Sequence, residues 1–274
     1  MKIHDPSPNL EGVRYYAAAR GQGAPLVLLH GFTGSGANWR DVSAAWEAQR
    51  TVIAVDLLGH GESSAPDDPA CYQMEQAAAD LHIAIGSFTA EPVHLLGYSM
   101  GGRLALYYAL RYPVRSLILE SASPGLATED ERRARRESDE RLADEIEREG
   151  IHAFVDRWER LPLFATQTRL PESVRARLRA QRLSNHPRGL ANSLRGMGTG
   201  VQPSLWEWLP ELNVPTLLIA GVEDAKFAAI AEQMRDRIPG AQLAMIAEAG
   251  HTTHLEQPDR FAEVVRRFLT VQAD

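Results

Sequence analysis

A serine set between glycines is the first group in this chain placed to do chemistry. Gly97-Tyr98-Ser99-Met100-Gly101 reads G-x-S-x-G, after the apolar run Val93-His94-Leu95-Leu96 and before a helix-like run from Arg103 to Leu110. In a strand–turn–helix setting this pattern is a nucleophile elbow. The sharp turn lifts the hydroxyl clear of the sheet, and the small flanking residues let strand and helix approach closely. A serine hydroxyl is a weak nucleophile at neutral pH. It needs a base, and the base needs an acid to hold its tautomer.

Both partners are available in the order Ser, Asp, His. Asp224 follows the strand-like Leu217–Ala220 run, and His251 follows the Leu243–Ile246 run in Ala249-Gly250-His251. Both therefore project from strand C-terminal ends, on the same sheet edge as Ser99. Glu223 competes with Asp224 as orienting acid, and His254 competes with His251 as base. His60, in Gly59-His60-Gly61, reads as a structural loop histidine. Developing negative charge calls for convergent N–H donors. The candidates are the backbone amides of Phe32, after His30-Gly31, and of Met100. Such donors contribute about 3 kcal/mol each to a transition state. A plain glycine turn is the other reading of His30-Gly31-Phe32.

The elements that must position these groups fall into three zones. From about 10 to 125, β-like runs (Leu26–Leu29, Thr51–Val55, Val93–Leu96, Ser116–Glu120) alternate with helix-like segments, as in a parallel sheet. From about 126 to 209 strand-like runs vanish. Charged helical stretches are expected at 128–149, 151–159, 171–184 and 187–196. From about 211 the β/α rhythm returns, with strands at Pro215–Gly221 and Ala241–Ile246 and helices at 226–238 and 258–269. The expected architecture is an α/β core in two parts, 1–125 and 210–274, interrupted by a helical lid, 126–209. Gly21-Gln22-Gly23 reads as a hairpin turn rather than a dinucleotide site.

Composition narrows the function classes. The chain has 274 residues, 44% hydrophobic and 24% charged, which suits a globular protein with a full core. No apolar stretch approaches the ~18 residues of a membrane span. MKIHDPSPNL lacks the apolar core of a signal peptide, and Cys71 stands alone. A cytoplasmic location is therefore expected. The net charge of −7 argues against nucleic acid as a partner. No cofactor is indicated: there is no cysteine–histidine cluster and no phosphate loop. Monomer and homo-oligomer both remain open.

Residues outside the triad speak to the substrate. Arg103 lies four residues, about one helical turn, past Ser99, on the same helix face. A buried arginine needs an anionic partner, either a ligand or an acid of the lid. Arg132, Arg135 and Arg136 share one face. They form either a solvated charged surface, with Glu131–Arg135 and Glu137–Arg141 pairs, or a set of carboxylate clamps. Lys226 could add charge at the rim. Trp158, near Phe154 and Phe164, is lid core or site lining.

Together, Leu28-Leu29-His30-Gly31-Phe32, Asp56-Leu57-Leu58-Gly59-His60-Gly61-Glu62-Ser63, Gly97-Tyr98-Ser99-Met100-Gly101-Gly102 and Ala249-Gly250-His251 resemble the α/β-hydrolase superfamily over about residues 24–270. Serine at 99 argues against its dehalogenase and epoxide-hydrolase branches, which place aspartate there. Arg103 after the elbow, Ser123-Pro124-Gly125-Leu126, the arginine helix from Glu131 to Asp139, Met197–Pro203 and Asp224-Ala225-Lys226-Phe227 resemble one subfamily. These are the 2-succinyl-6-hydroxy-2,4-cyclohexadiene-1-carboxylate synthases of menaquinone biosynthesis. That resemblance implies a small anionic substrate with several carboxylates, a 2,5-elimination expelling pyruvate, and Ser99 acting as a base. It assigns Arg103 and Arg135 to carboxylates and makes Tyr98 and Trp158 substrate contacts. A further family arginine falls nearest Arg182, but its register is off by one. Two other readings use the same residues: a serine hydrolase of esters or C–C bonds in acidic substrates, and a triad-retaining small-molecule receptor.

Overall fold

The computed structural model describes residues 9–10 and 12–272. Two short strands, β1 (Asn9–Leu10) and β2 (Val13–Arg14), form a small antiparallel ladder. The other described strands make one seven-stranded sheet. They are β3 (Ala17–Gly21), β4 (Ala24–Leu29), β5 (Arg50–Val55), β6 (His94–Tyr98), β7 (Ser116–Glu120), β8 (Thr216–Gly221) and β9 (Gln242–Ile246). Their spatial order is β3-β5-β4-β6-β7-β8-β9, and only β3 runs antiparallel to its neighbour. The chain winds one way from β4 to β5, then crosses to β6 on the other side. The crevice at the C-terminal ends of β4 and β6 is therefore a topological switch point, where open α/β sheets bind ligands.

Helices cover both faces, so the central strands are apolar along their length. Alternation sorts their side chains. Val27 and Leu29 of β4 join the layer formed with α2 (Met74–Gly86), α3 (Met100–Ala109) and α7 (Ala225–Arg235). Leu26 and Leu28 join Trp39, α1 (Arg40–Ser43) and α9 (Pro258–Val271) on the other face. Each fully buried leucine contributes about 2 kcal/mol.

Between β7 and β8 the chain leaves the sheet for α4 (Glu129–Trp158), α5 (Glu172–Leu183) and α6 (Pro187–Met197). Gly150, at φ 82 and ψ 172, breaks α4 into two arms. Its start is capped reciprocally: Glu131 N–H donates to Thr128 Oγ1, and Thr128 N–H donates to Glu131 Oε2. Ala143, Ile146, Phe154, Leu190 and Leu194 form the core of this helical layer. No helix among the described residues is long and apolar enough to cross a membrane.

Two local expectations fail. Gly21-Gln22-Gly23 joins β3 to β4 but is no hairpin, because β5 lies between those strands. The turn must cross the start of β5. A Cβ on Gly21 would sit 2.3 Å from the Arg50 carbonyl, and one on Gly23 2.3 Å from that of Gln49. The expected pairs Glu131–Arg135 and Glu137–Arg141 do not form either. Glu131 is consumed by the cap, Arg135 reaches forward to Asp139, and Glu137 and Arg141 do not pair.

Candidate active site

Ser99 stands between β6 and α3 at φ 48 and ψ −108, a left-handed backbone that an L-residue adopts only under constraint. Its surroundings supply that constraint. A Cβ on Gly97 would lie 2.4 Å from the Gly101 carbonyl, and one on Gly101 2.5 Å from the His30 carbonyl. Strand and helix are that close, so only glycine fits at either position. The Ser99 N–H donates to the Glu120 carbonyl of β7 at 2.8 Å, which anchors the elbow to the sheet.

His251 Nε2 lies 3.0 Å from Ser99 Oγ, and His251 Nδ1 lies 2.6 Å from Asp224 Oδ2. Asp224 is the N-cap of α7 and accepts the Phe227 N–H on its other oxygen. Both His251 and Asp224 are buried. The competing residues are committed elsewhere. Glu223 is exposed and pairs with both terminal guanidinium nitrogens of Arg169. His254, in α8 (Thr253–Glu256), gives Nδ1 to Glu120 Oε2 at 2.7 Å. His60 is buried against His30 and Phe32, with Nδ1 held by the Leu58 carbonyl.

The turn after β4 lies against the elbow. A Cβ on Gly31 would be 3.4 Å from Ser99 Cβ. Gly34 N–H closes the turn onto the Gly31 carbonyl, and His30 braces it. His30 Nδ1–H donates to that same carbonyl, and Nε2 accepts the Leu57 N–H. This places Phe32 and Met100 beside Ser99 on the cavity wall. Met100 opens α3, so the positive end of a helix dipole also faces this point.

The cavity above Ser99 holds about 380 Å³. Arg103, Arg135 and Lys226 line it, and among the described residues no carboxylate does. Arg103 Nη1 donates to the Met197 carbonyl and to Gln202 Oε1, both at 2.8 Å. Neither acceptor is charged. Burial pushes the Arg103 guanidinium down to about 10, and nearby Arg135 acts in the same direction. Arg135 is exposed, with Nε on Asp139 Oδ1 at 2.7 Å. Lys226 is an exposed rim residue beside Phe227.

Trp158 lines the cavity and is also packed on Phe32, Phe154 and Phe164, so both readings of it hold at once. Tyr98 lines it by its ring, since its hydroxyl is engaged by Thr252 Oγ1 at 3.0 Å. Arg182 is buried behind Phe164 on Glu159 and Gln167, outside the cavity wall. Arg132 and Arg136 are tied to Glu129 near the start of α4. Sequence reasoning missed Gln202, Asp139 and Phe227, whose ring packs 4.5 Å from that of His251. All three sit in motifs already singled out, but side chains in a loop or helix give no local sign of what they touch.

The family model for the alpha/beta hydrolase fold matches residues 24–258. A Bacillus subtilis (strain 168) protein, provisionally named 2-succinyl-6-hydroxy-2,4-cyclohexadiene-1-carboxylate synthase, is 47% identical over 264 residues, 95% of this chain and 96% of its own. The Serratia proteamaculans (strain 568) synthase of that name is 32% identical over 250 residues, covering 89% of this chain and 92% of its own. The solved structure of MenH from S. aureus superposes with a TM-score of 0.91 at 37% identity, over 95% of this chain and 99% of that one.

Proposed function

The chain belongs to the α/β-hydrolase family and, within it, to the 2-succinyl-6-hydroxy-2,4-cyclohexadiene-1-carboxylate synthases; from that premise we propose how its residues perform the reaction. It is a carbon–oxygen lyase of menaquinone biosynthesis. It eliminates pyruvate from 2-succinyl-5-enolpyruvyl-6-hydroxy-3-cyclohexene-1-carboxylate to give the cyclohexadiene product.

Asp224 holds His251 in the tautomer with its proton on Nδ1, leaving Nε2 to accept the Ser99 proton. Ser99 Oγ then takes the ring proton next to the succinyl carbonyl. As that C–H bond breaks, the ring double bond shifts and the C–O bond to the enolpyruvyl group breaks. Enolpyruvate leaves and becomes pyruvate on protonation. Negative charge that gathers on the succinyl carbonyl oxygen meets the backbone N–H groups of Phe32 and Met100 and the α3 dipole. Arg103 and Arg135 hold carboxylates of the substrate, Lys226 adds charge at the rim, and Tyr98 and Trp158 present ring faces. The single cysteine agrees with a cytoplasmic site of action, where thiols stay reduced.

One observation carries this reading: among the described residues, three cations and no carboxylate line the cavity that contains Ser99. A pocket for a neutral acyl chain has no use for that charge, and the buried guanidinium of Arg103 is costly to enclose. The test is pyruvate release from the enolpyruvyl precursor, generated in place by the preceding enzyme and corrected for spontaneous decay. Fast release that vanishes in Ser99→Ala supports the elimination. A rate equal to the blank, with a stable acyl-enzyme formed from an activated ester, would replace it by an ester hydrolase.

A further inference from the structure

Gln202 follows α6 in a loop beneath the cavity and is completely buried. Its Oε1 accepts Arg103 Nη1, as does the Met197 carbonyl. Among the described residues no carboxylate lies within ion-pair distance of Arg103, and no partner takes its Nε or Nη2. Asp139 is the carboxylate that Arg103 senses at longer range, and its charge is balanced by Arg135.

The other end of Gln202 is anomalous. Its Nε2 is buried and has no hydrogen-bond partner. An unpaired buried N–H is unfavourable, because its bonds to water are lost and not replaced. Glutamate has nearly the same shape. It would give Arg103 a charge-assisted partner and leave no orphan donor. A glutamate would complete an ion pair with the buried Arg103 and exchange the orphan donor for a carboxylate oxygen, yet the chain has the amide.

We infer that Gln202 is a specificity-determining residue: a neutral cradle that fixes the Arg103 guanidinium while leaving its positive charge available to a carboxylate of the ligand. A glutamate would hold Arg103 equally well and cancel that charge. The inference deepens the reading of an anionic substrate and rests on it. Gln202 does not touch the reacting atoms; it acts through Arg103.

The experiment compares the wild type with Gln202→Glu in three measurements: thermal unfolding, KM and kcat for pyruvate release, and calorimetric titration with succinate. Gln202→Glu is expected to melt at the same or a higher temperature, to raise KM by about tenfold or more, and to change kcat by less than about threefold. Succinate affinity falls in parallel with KM. A wild-type KM in Gln202→Glu overturns the proposal. So does a variant that fails to fold or melts well below the wild type, since the argument requires glutamate to be tolerated. If the wild type releases no pyruvate above the blank, the elimination reading fails separately and succinate binding decides the cradle. Binding about tenfold tighter in the wild type supports it, whereas equal binding, or none by either protein, overturns it.

Discussion

Glu120 and His254 form a buried pair beside the elbow, with His254 Nδ1 2.7 Å from Glu120 Oε2. The same carboxylate accepts Thr253 Oγ1 at 2.6 Å and the His254 N–H at 3.0 Å, and the Glu120 carbonyl accepts the Ser99 N–H. One residue thus ties the loop carrying His251 to the turn carrying Ser99. Glu120→Ala is expected to destabilise the fold by about 3 kcal/mol or more, because it leaves buried donors unpaired. In the fraction that folds, kcat should fall with little change in KM. Urea unfolding and steady-state kinetics check both effects. Unfolding at the wild-type urea concentration would show that the pair carries no stability.

The strained backbone at Ser99 separates stability from activity. Ser99→Gly relieves a left-handed conformation and is expected to stabilise the fold by about 1 kcal/mol. The same change should cut pyruvate release by roughly a thousandfold or more, since the proton acceptor is gone. A melting curve and a rate on one preparation decide it.

Asp224 and Glu223 are adjacent in sequence but hold different partners, His251 and Arg169. Asp224→Asn is expected to lower kcat by about a thousandfold or more, by favouring the wrong His251 tautomer. Glu223→Gln breaks only an exposed pair with Arg169 and should leave kcat within about twofold. Similar losses in the two variants would refute the assignment of Asp224.

The cations differ in enclosure and should differ in effect. Arg103→Met is expected to raise KM by about ten- to a hundredfold, because the partner carboxylate loses an enclosed, charge-assisted bond. Lys226→Met, at the exposed rim, should raise it by about threefold or less, and less still at high salt. KM values measured at two ionic strengths separate the two residues.

Two buried histidines set an acid limit. Burial holds His30 down to about 4 and His60 down to about 3, from a usual value of 6.5. Between those values and 6.5 the unfolded chain binds more protons than the folded one, so stability is lost as pH falls. The loss is about 1.4 kcal/mol per pH unit for each histidine. Unfolding free energies at pH 7 and pH 5 should show it, and His60→Asn should make the dependence shallower.

Short windows of sequence were enough for much of this protein. Gly97-x-Ser99-x-Gly101 specifies an elbow because close strand–helix packing excludes any Cβ at its glycines, and that is a local constraint. The apolar runs that become β4 to β8 were legible for a similar reason, since strands buried on both faces must be apolar throughout. The break near residue 150 in α4 was legible in Gly150.

What lay beyond the sequence was partner choice. Glu131 could pair with Arg135 or cap its own helix, and it bonds the Thr128 cap. The turn at Gly21–Gly23 reads as a hairpin in sequence but is none, because β5, some thirty residues later, inserts between β3 and β4. Nothing near Gln202 announces Arg103, which is 99 residues away. Local turn and periodicity rules act through steric effects a few residues long. The identity of a buried polar group's partner is decided only when distant elements pack, and whether a charge is neutralised or left for a ligand is decided there too.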